Sequence, residues 1–110
     1  DWYPSINGSK ELKAFHAGEV PYVFGNFKMF SIDVTQEDLI FSQLMMEIWT
    51  NFAKTGNPKI EGKLDWPEYT VDSRNYLILG KTIENRKGLR EEKVNLINEA
   101  YERSRGITDQ

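Results

Sequence analysis

The sequence predicts a mixed α/β chain, and three observations carry that prediction. Phe41, Met45, Ile48, Trp49 and Phe52 recur at helical spacing from about Gln36 to Lys54. Tyr76-Leu77-Ile78-Leu79 reads as a short strand ended by Gly80. A last helix is expected from about Leu89 to Arg105, with Val94, Ile97 and Tyr101 on one side, charges over much of the rest and Gly106 as its stop.

Taken in order, the first dozen residues are polar and rich in turn formers (Pro4, Asn7, Gly8, Ser9), which predicts a surface loop or a short helix. Ala14 and Phe15 lead into His16, the only histidine in the chain. Val20 to Phe24 is an apolar, strand-like run that calls for burial, and Pro21 within it argues against a central ladder position. Gly25-Asn26 breaks the run. Phe27, Met29, Phe30, Ile32 and Val34 then predict a packed loop or a short edge segment.

The helix at 36–54 is the best-marked element. Thr35 followed by Asp38 resembles a capping box with aspartate in place of the usual Glu or Gln. Gly56 stands where a left-handed cap is expected, and Pro58 prevents continuation. Leu44 and Met46 widen its apolar face beyond what a small domain covers, so the helix demands a large partner. The Met45-Met46 pair with Trp49 suits adaptable packing rather than a ligand site. Residues 54–63, broken by Gly56, Pro58 and Gly62, read as a solvated loop, and Trp66 and Tyr69 as staples of the following loop onto the body.

Composition excludes several classes. The 110 residues carry a formal charge of −3, and the basic residues form no stripe that would follow a phosphate backbone, so nucleic acid is not an expected partner. No apolar run approaches the roughly 20 residues that span a bilayer, and the start lacks the pattern of a secretory signal. The absence of cysteine excludes disulfides and thiolate metal sites in this segment. Ligands are not clustered elsewhere either, so no metal site is expected in this segment. Asn7-Gly8-Ser9 has the form of a glycosylation sequon. The compartment stays open.

Three motifs in register point further: His16-Ala17-Gly18-Glu19-Val20-Pro21-Tyr22-Val23-Phe24-Gly25, then Trp49-Thr50-Asn51-Phe52-Ala53-Lys54-Thr55-Gly56-Asn57-Pro58, then Trp66-Pro67-Glu68-Tyr69. In order and spacing they resemble the C-terminal end of the type-B carboxylesterase and cholinesterase family, from about Ala14 to Leu79 and more loosely to the last helix. The resemblance implies the α/β-hydrolase fold, with residues 1–110 as the C-terminal segment of one domain: the last sheet strands, the histidine loop and two helices. Such a segment is not expected to fold as an independent domain.

The resemblance also implies a Ser-His-Glu or Ser-His-Asp triad in which the histidine comes last, and His16 falls on that position. The chain contains no G-x-S-x-G elbow, so the serine, the acid and the oxyanion loop are expected in the N-terminal remainder of the same hydrolase, acting on a small-molecule ester in a reaction that needs neither metal nor organic cofactor. Many members carry glycine directly after the histidine, where this chain has Ala17. Glu19 is expected to support the histidine or the loop rather than to be the triad acid, being too close in sequence to reach the far ring nitrogen. Tyr22, Phe24 and Phe27 are expected in the core rather than in a substrate pocket. The alternative is a cholinesterase-like adhesion or scaffold protein that keeps the fold without a working triad.

Overall fold

The computed structural model describes residues 14–28 and 33–106. Asn7 and the other early turn formers, together with Met29, Phe30 and Ile32, lie outside the described residues. The elements are helix α1 (Val20–Phe24), helix α2 (Gln36–Thr55), strands β1 (Asn75–Ile78) and β2 (Glu84–Lys87), and helix α3 (Glu91–Ser104).

The strand-like expectation for 20–24 is corrected: this run is a helix. Pro21 lies in its first turn, where a missing N–H costs nothing and a fixed φ favours the helix. The end is a Schellman closure: Gly25 is left-handed at φ 62° and donates its N–H to the Tyr22 carbonyl, while Asn26 N–H reaches the Pro21 carbonyl at 3.0 Å. A five-residue apolar run is too short for periodicity to separate strand from helix.

Helix α2 follows its sequence signals, ending one residue beyond the expected boundary. The Thr35 hydroxyl accepts from Asp38 N–H at 3.1 Å, and Asp38 Oδ2 accepts from Thr35 N–H at 2.9 Å, completing the capping box. Gly56, at φ 73°, returns its N–H to the Phe52 carbonyl at 2.8 Å. The buried positions Asp38, Phe41, Ser42, Met45 and Ile48 lie on one stripe.

Two apolar clusters share that stripe. Tyr22, Phe27, Phe41 and Met45 form the first, with Tyr22 meeting Phe27 and Phe41 edge-on at centroid distances of 5.2 and 5.4 Å. Ile48, Ile60 and Leu64 form the second, and the half-buried Leu79 packs against both. Ile60 corrects the expectation of a wholly solvated 54–63 loop, because paired backbone hydrogen bonds with Leu64, at 2.9 and 2.8 Å, fold a small loop whose two ends reach the core. Trp66 packs on this cluster as expected. Tyr69 does not, being 65% exposed.

The expected strand at 76–79 is observed at 75–78, paired antiparallel with β2 in the register Tyr76↔Arg86 and Leu77↔Asn85. Every residue of β2 is exposed. Its Arg86 holds Glu84 through hydrogen bonds of 2.8 and 3.1 Å, and this partner lowers the Glu84 carboxyl below its ordinary range. Helix α3 starts two residues later than expected because Arg90 takes a left-handed conformation, and an Arg74–Glu91 ion pair ties its first turn to the hairpin. None of its residues is buried; Val94, Ile97 and Tyr101 stay about half exposed on its apolar side. The radius of gyration is 17.7 Å, against roughly 13 Å for a compact chain of about 100 residues.

Thr35→Ala removes both the acceptor for Asp38 N–H and one donor to the Asp38 carboxylate. It is expected to cost about 1–2 kcal/mol, read as a lower urea midpoint.

Candidate active site

The site is built on the turn ahead of α1. Gly18 N–H donates to the Phe15 carbonyl at 3.0 Å, which closes a four-residue turn with His16 and Ala17 at its centre. Ala17 has φ 65°. A negative φ at His16 with a positive φ at the next residue is the type II pattern, which favours glycine at the second central position. Alanine there carries a steric penalty of about 1–2 kcal/mol. Gly18 is buried, and a Cβ on it would lie 3.0 Å from the Phe15 carbonyl oxygen, so any side chain would press the turn open. The outcome is a rigid backbone corner from which the His16 side chain projects into solvent.

The turn runs without interruption into α1. Val20 N–H donates to the Ala17 carbonyl at 3.2 Å, and Tyr22 and Val23 donate to the Glu19 carbonyl at 3.0 and 3.1 Å. Glu19 therefore acts through its backbone as the residue that opens α1, and its side chain is exposed. Among the described residues, no hydrogen bond or ion pair joins Glu19 to His16. Tyr22 and Phe27 are core, whereas Phe24 is 75% exposed and departs from that expectation.

A cleft of about 310 Å³ lies beside the turn, lined by Phe15, Gly18, Tyr22, Met45, Trp49 and Leu79 among others. The described serines are committed elsewhere: Ser42 to the Tyr22 carbonyl, Ser73 to Thr70 and Ser104 to the Tyr101 carbonyl. Among the described residues no cluster of three or more His, Cys, Asp or Glu side chains is arranged to hold a metal ion, and no helix is long and apolar enough to cross a membrane.

A polar clasp beneath the turn was not legible as such. Tyr22 hydroxyl donates to Asp38 Oδ1 at 2.9 Å, and Ser42 hydroxyl donates to the Tyr22 carbonyl at 2.7 Å, both buried. The available signal was the pair of polar residues, Asp38 and Ser42, one turn apart on the apolar stripe of α2.

The unit superposes on solved esterase structures of the α/β-hydrolase fold and is a portion of that architecture. One of these, a PNB esterase, has a TM-score of 0.67 and 38% identity, covering 76% of this chain and 17% of that one. A thermophilic PNB esterase gives a TM-score of 0.71 at 37% identity, over 86% and 20% of the two chains. The sequence profile of the carboxylesterase family matches residues 1–97, and the chain belongs to that family.

Among curated relatives, the chain is 41% identical over 83 residues to the medium-chain fatty acyl-CoA hydrolase precursor of Anas platyrhynchos, covering 76% of this chain and 14% of that protein. It is 42% identical over 91 residues to para-nitrobenzyl esterase of Bacillus subtilis (strain 168), covering 77% and 18%. The acylcarnitine hydrolase of Rattus norvegicus is 49% identical over 64 residues, covering 57% and 11%. The chain thus spans less than a fifth of the length of these relatives.

Ala17→Gly exchanges relief of the left-handed penalty for about 0.5–1 kcal/mol of added unfolded-chain entropy, so it is expected to leave stability unchanged or raise it by about 1 kcal/mol. Ala17→Val places a β-branched side chain at positive φ and is expected to lower the melting temperature well below that of Ala17→Gly. Paired thermal melts check the order.

Proposed function

We propose that this chain supplies His16 as the proton-transfer residue of a serine carboxylic-ester hydrolase, whose nucleophile, acid and oxyanion donors come from the N-terminal remainder of the same hydrolase. Family membership supports the reaction class. The observation that carries the assignment of His16 is its place at the centre of a hydrogen-bonded corner, exposed, with the flanking residues fixed and the ring free to meet a partner brought by other segments.

Imidazole suits the task because its ordinary pKa lies near neutrality. His16 takes the serine proton as the hydroxyl oxygen attacks the ester carbonyl. It then gives that proton to the departing alcohol as the carbonyl re-forms, leaving an acyl-enzyme. In the second half a water loses its proton to His16 and attacks the acyl carbon, and the serine recovers the proton as the acid product leaves. The acid on the far ring nitrogen holds the tautomer and stabilises the imidazolium.

The same reading makes residues 1–110 part of one larger domain. Met46, Trp49 and Phe52 on α2 are 38%, 44% and 59% exposed, and the radius of gyration exceeds that of a compact chain. An apolar face of this kind calls for a cover.

In the full polypeptide, His16→Ala is expected to lower kcat on a p-nitrophenyl ester by about 10²–10⁴-fold. Undiminished turnover in that variant overturns the assignment. A wild-type polypeptide that folds but shows no turnover and takes up no serine-directed label favours the adhesion or scaffold alternative. The 110-residue segment expressed alone is expected to be insoluble or partly molten and to hydrolyse the ester no faster than buffer. A cooperative melt together with esterase activity overturns that view.

A further inference from the structure

We propose that Tyr22 and Asp38 are positioning residues for the His16 imidazole, acting through the overlapping turns that join them rather than by contact. This inference rests on the reading of His16 given above and deepens it. Tyr22 is 1% exposed and Asp38 2%. Asp38 Oδ1 accepts from the Tyr22 hydroxyl at 2.9 Å, while Oδ2 accepts from the Thr35 N–H at 2.9 Å and the Thr35 hydroxyl at 2.8 Å. At the other end of the same residue, the Tyr22 carbonyl accepts from Ser42 at 2.7 Å. Tyr22 is therefore fixed at its side chain and at its backbone by α2, with its ring nearly perpendicular to those of Phe27 and Phe41.

From Tyr22 the chain returns to His16 through bonded turns. Tyr22 N–H holds the Glu19 carbonyl, Val20 N–H holds the Ala17 carbonyl, and Gly18 N–H holds the Phe15 carbonyl. A displacement of Tyr22 on α2 is thus transmitted to the backbone corner that carries the imidazole. Apolar packing alone would be met by phenylalanine at position 22. The hydroxyl adds direction, and a buried carboxylate is retained only where donors compensate its desolvation. Proton transfer rewards such direction, since a 1 Å misplacement costs on the order of 100-fold in rate.

The experiment is steady-state hydrolysis of p-nitrophenyl butyrate by the full polypeptide carrying Tyr22→Phe, Ser42→Ala or His16→Ala, with a thermal melt of each. Tyr22→Phe is expected to lower kcat roughly tenfold while KM stays within about twofold. Ser42→Ala, which releases the other end of the same residue, is expected to lower kcat with KM likewise held, and the double variant to fall short of the product of the two. Wild-type kcat in Tyr22→Phe with a lowered melting temperature assigns the pair to packing alone and overturns the proposal. Should Tyr22→Phe fail to fold, wild-type kcat in Ser42→Ala overturns it in the same way. Full turnover in His16→Ala defeats the functional reading itself. An inactive His16→Ala beside wild-type kcat in the other variants defeats only the positioning pair.

Discussion

The buried carboxylate of Asp38 is the constraint on which the ordering of this region depends. It closes the N-terminal cap of α2 through Thr35 and receives the hydroxyl of Tyr22 from α1. Burying an ionised group is unfavourable by several kcal/mol unless hydrogen bonds replace its water. Here three donors converge on it. Each donor is locked in turn: Tyr22 by its ring neighbours and by Ser42, Thr35 by the cap itself. Isolated helices shorter than about 12–15 residues are marginal in water, so a five-residue helix such as α1 owes its existence to this clasp and to the cluster around Tyr22.

The histidine inherits its position from that arrangement. His16 itself is exposed and forms none of the core, yet the residues on either side of it are tightly specified. Ala17 is held left-handed against its steric preference, and Gly18 is packed so closely on the Phe15 carbonyl that a side chain would press on it. Strained backbone beside a chemically capable side chain persists where the surrounding structure over-determines it. Fixing the corner and leaving the ring open to solvent suits a group that meets its reaction partners from other parts of a larger fold.

The uncovered apolar surface points the same way from energetics. Helix α2 carries an apolar arc that α1 covers on one side and the 60–64 loop and β1 on the other, leaving Trp49 and Phe52 in solvent. The last helix is tied down by an ion pair at its root and has no fully buried residue. The curated relatives it matches are more than four times longer than this chain, and the proposed reading, in which further sequence of such a protein covers these surfaces, accounts for both features.

Legibility followed the range of the interactions. The sequence by itself determined α2, because its capping box, its glycine stop and its helical period are all local and agree with one another. It determined the family through three motifs in register, and it marked His16 as the residue with chemistry to offer. That Val20 to Phe24 is a helix rests on packing as well as on Pro21 and Gly25, since Tyr22 is held by Asp38 and Ser42, sixteen and twenty positions away. Only tertiary structure placed Ile60 and Leu64 in the core and left Phe24 and Tyr69 outside it. Strand β2, Glu-Asn-Arg-Lys, carries no alternation to read, and its conformation is set by pairing with β1. Local hydrogen bonds are written into neighbouring residues, whereas burial and strand pairing depend on partners that sequence proximity does not name.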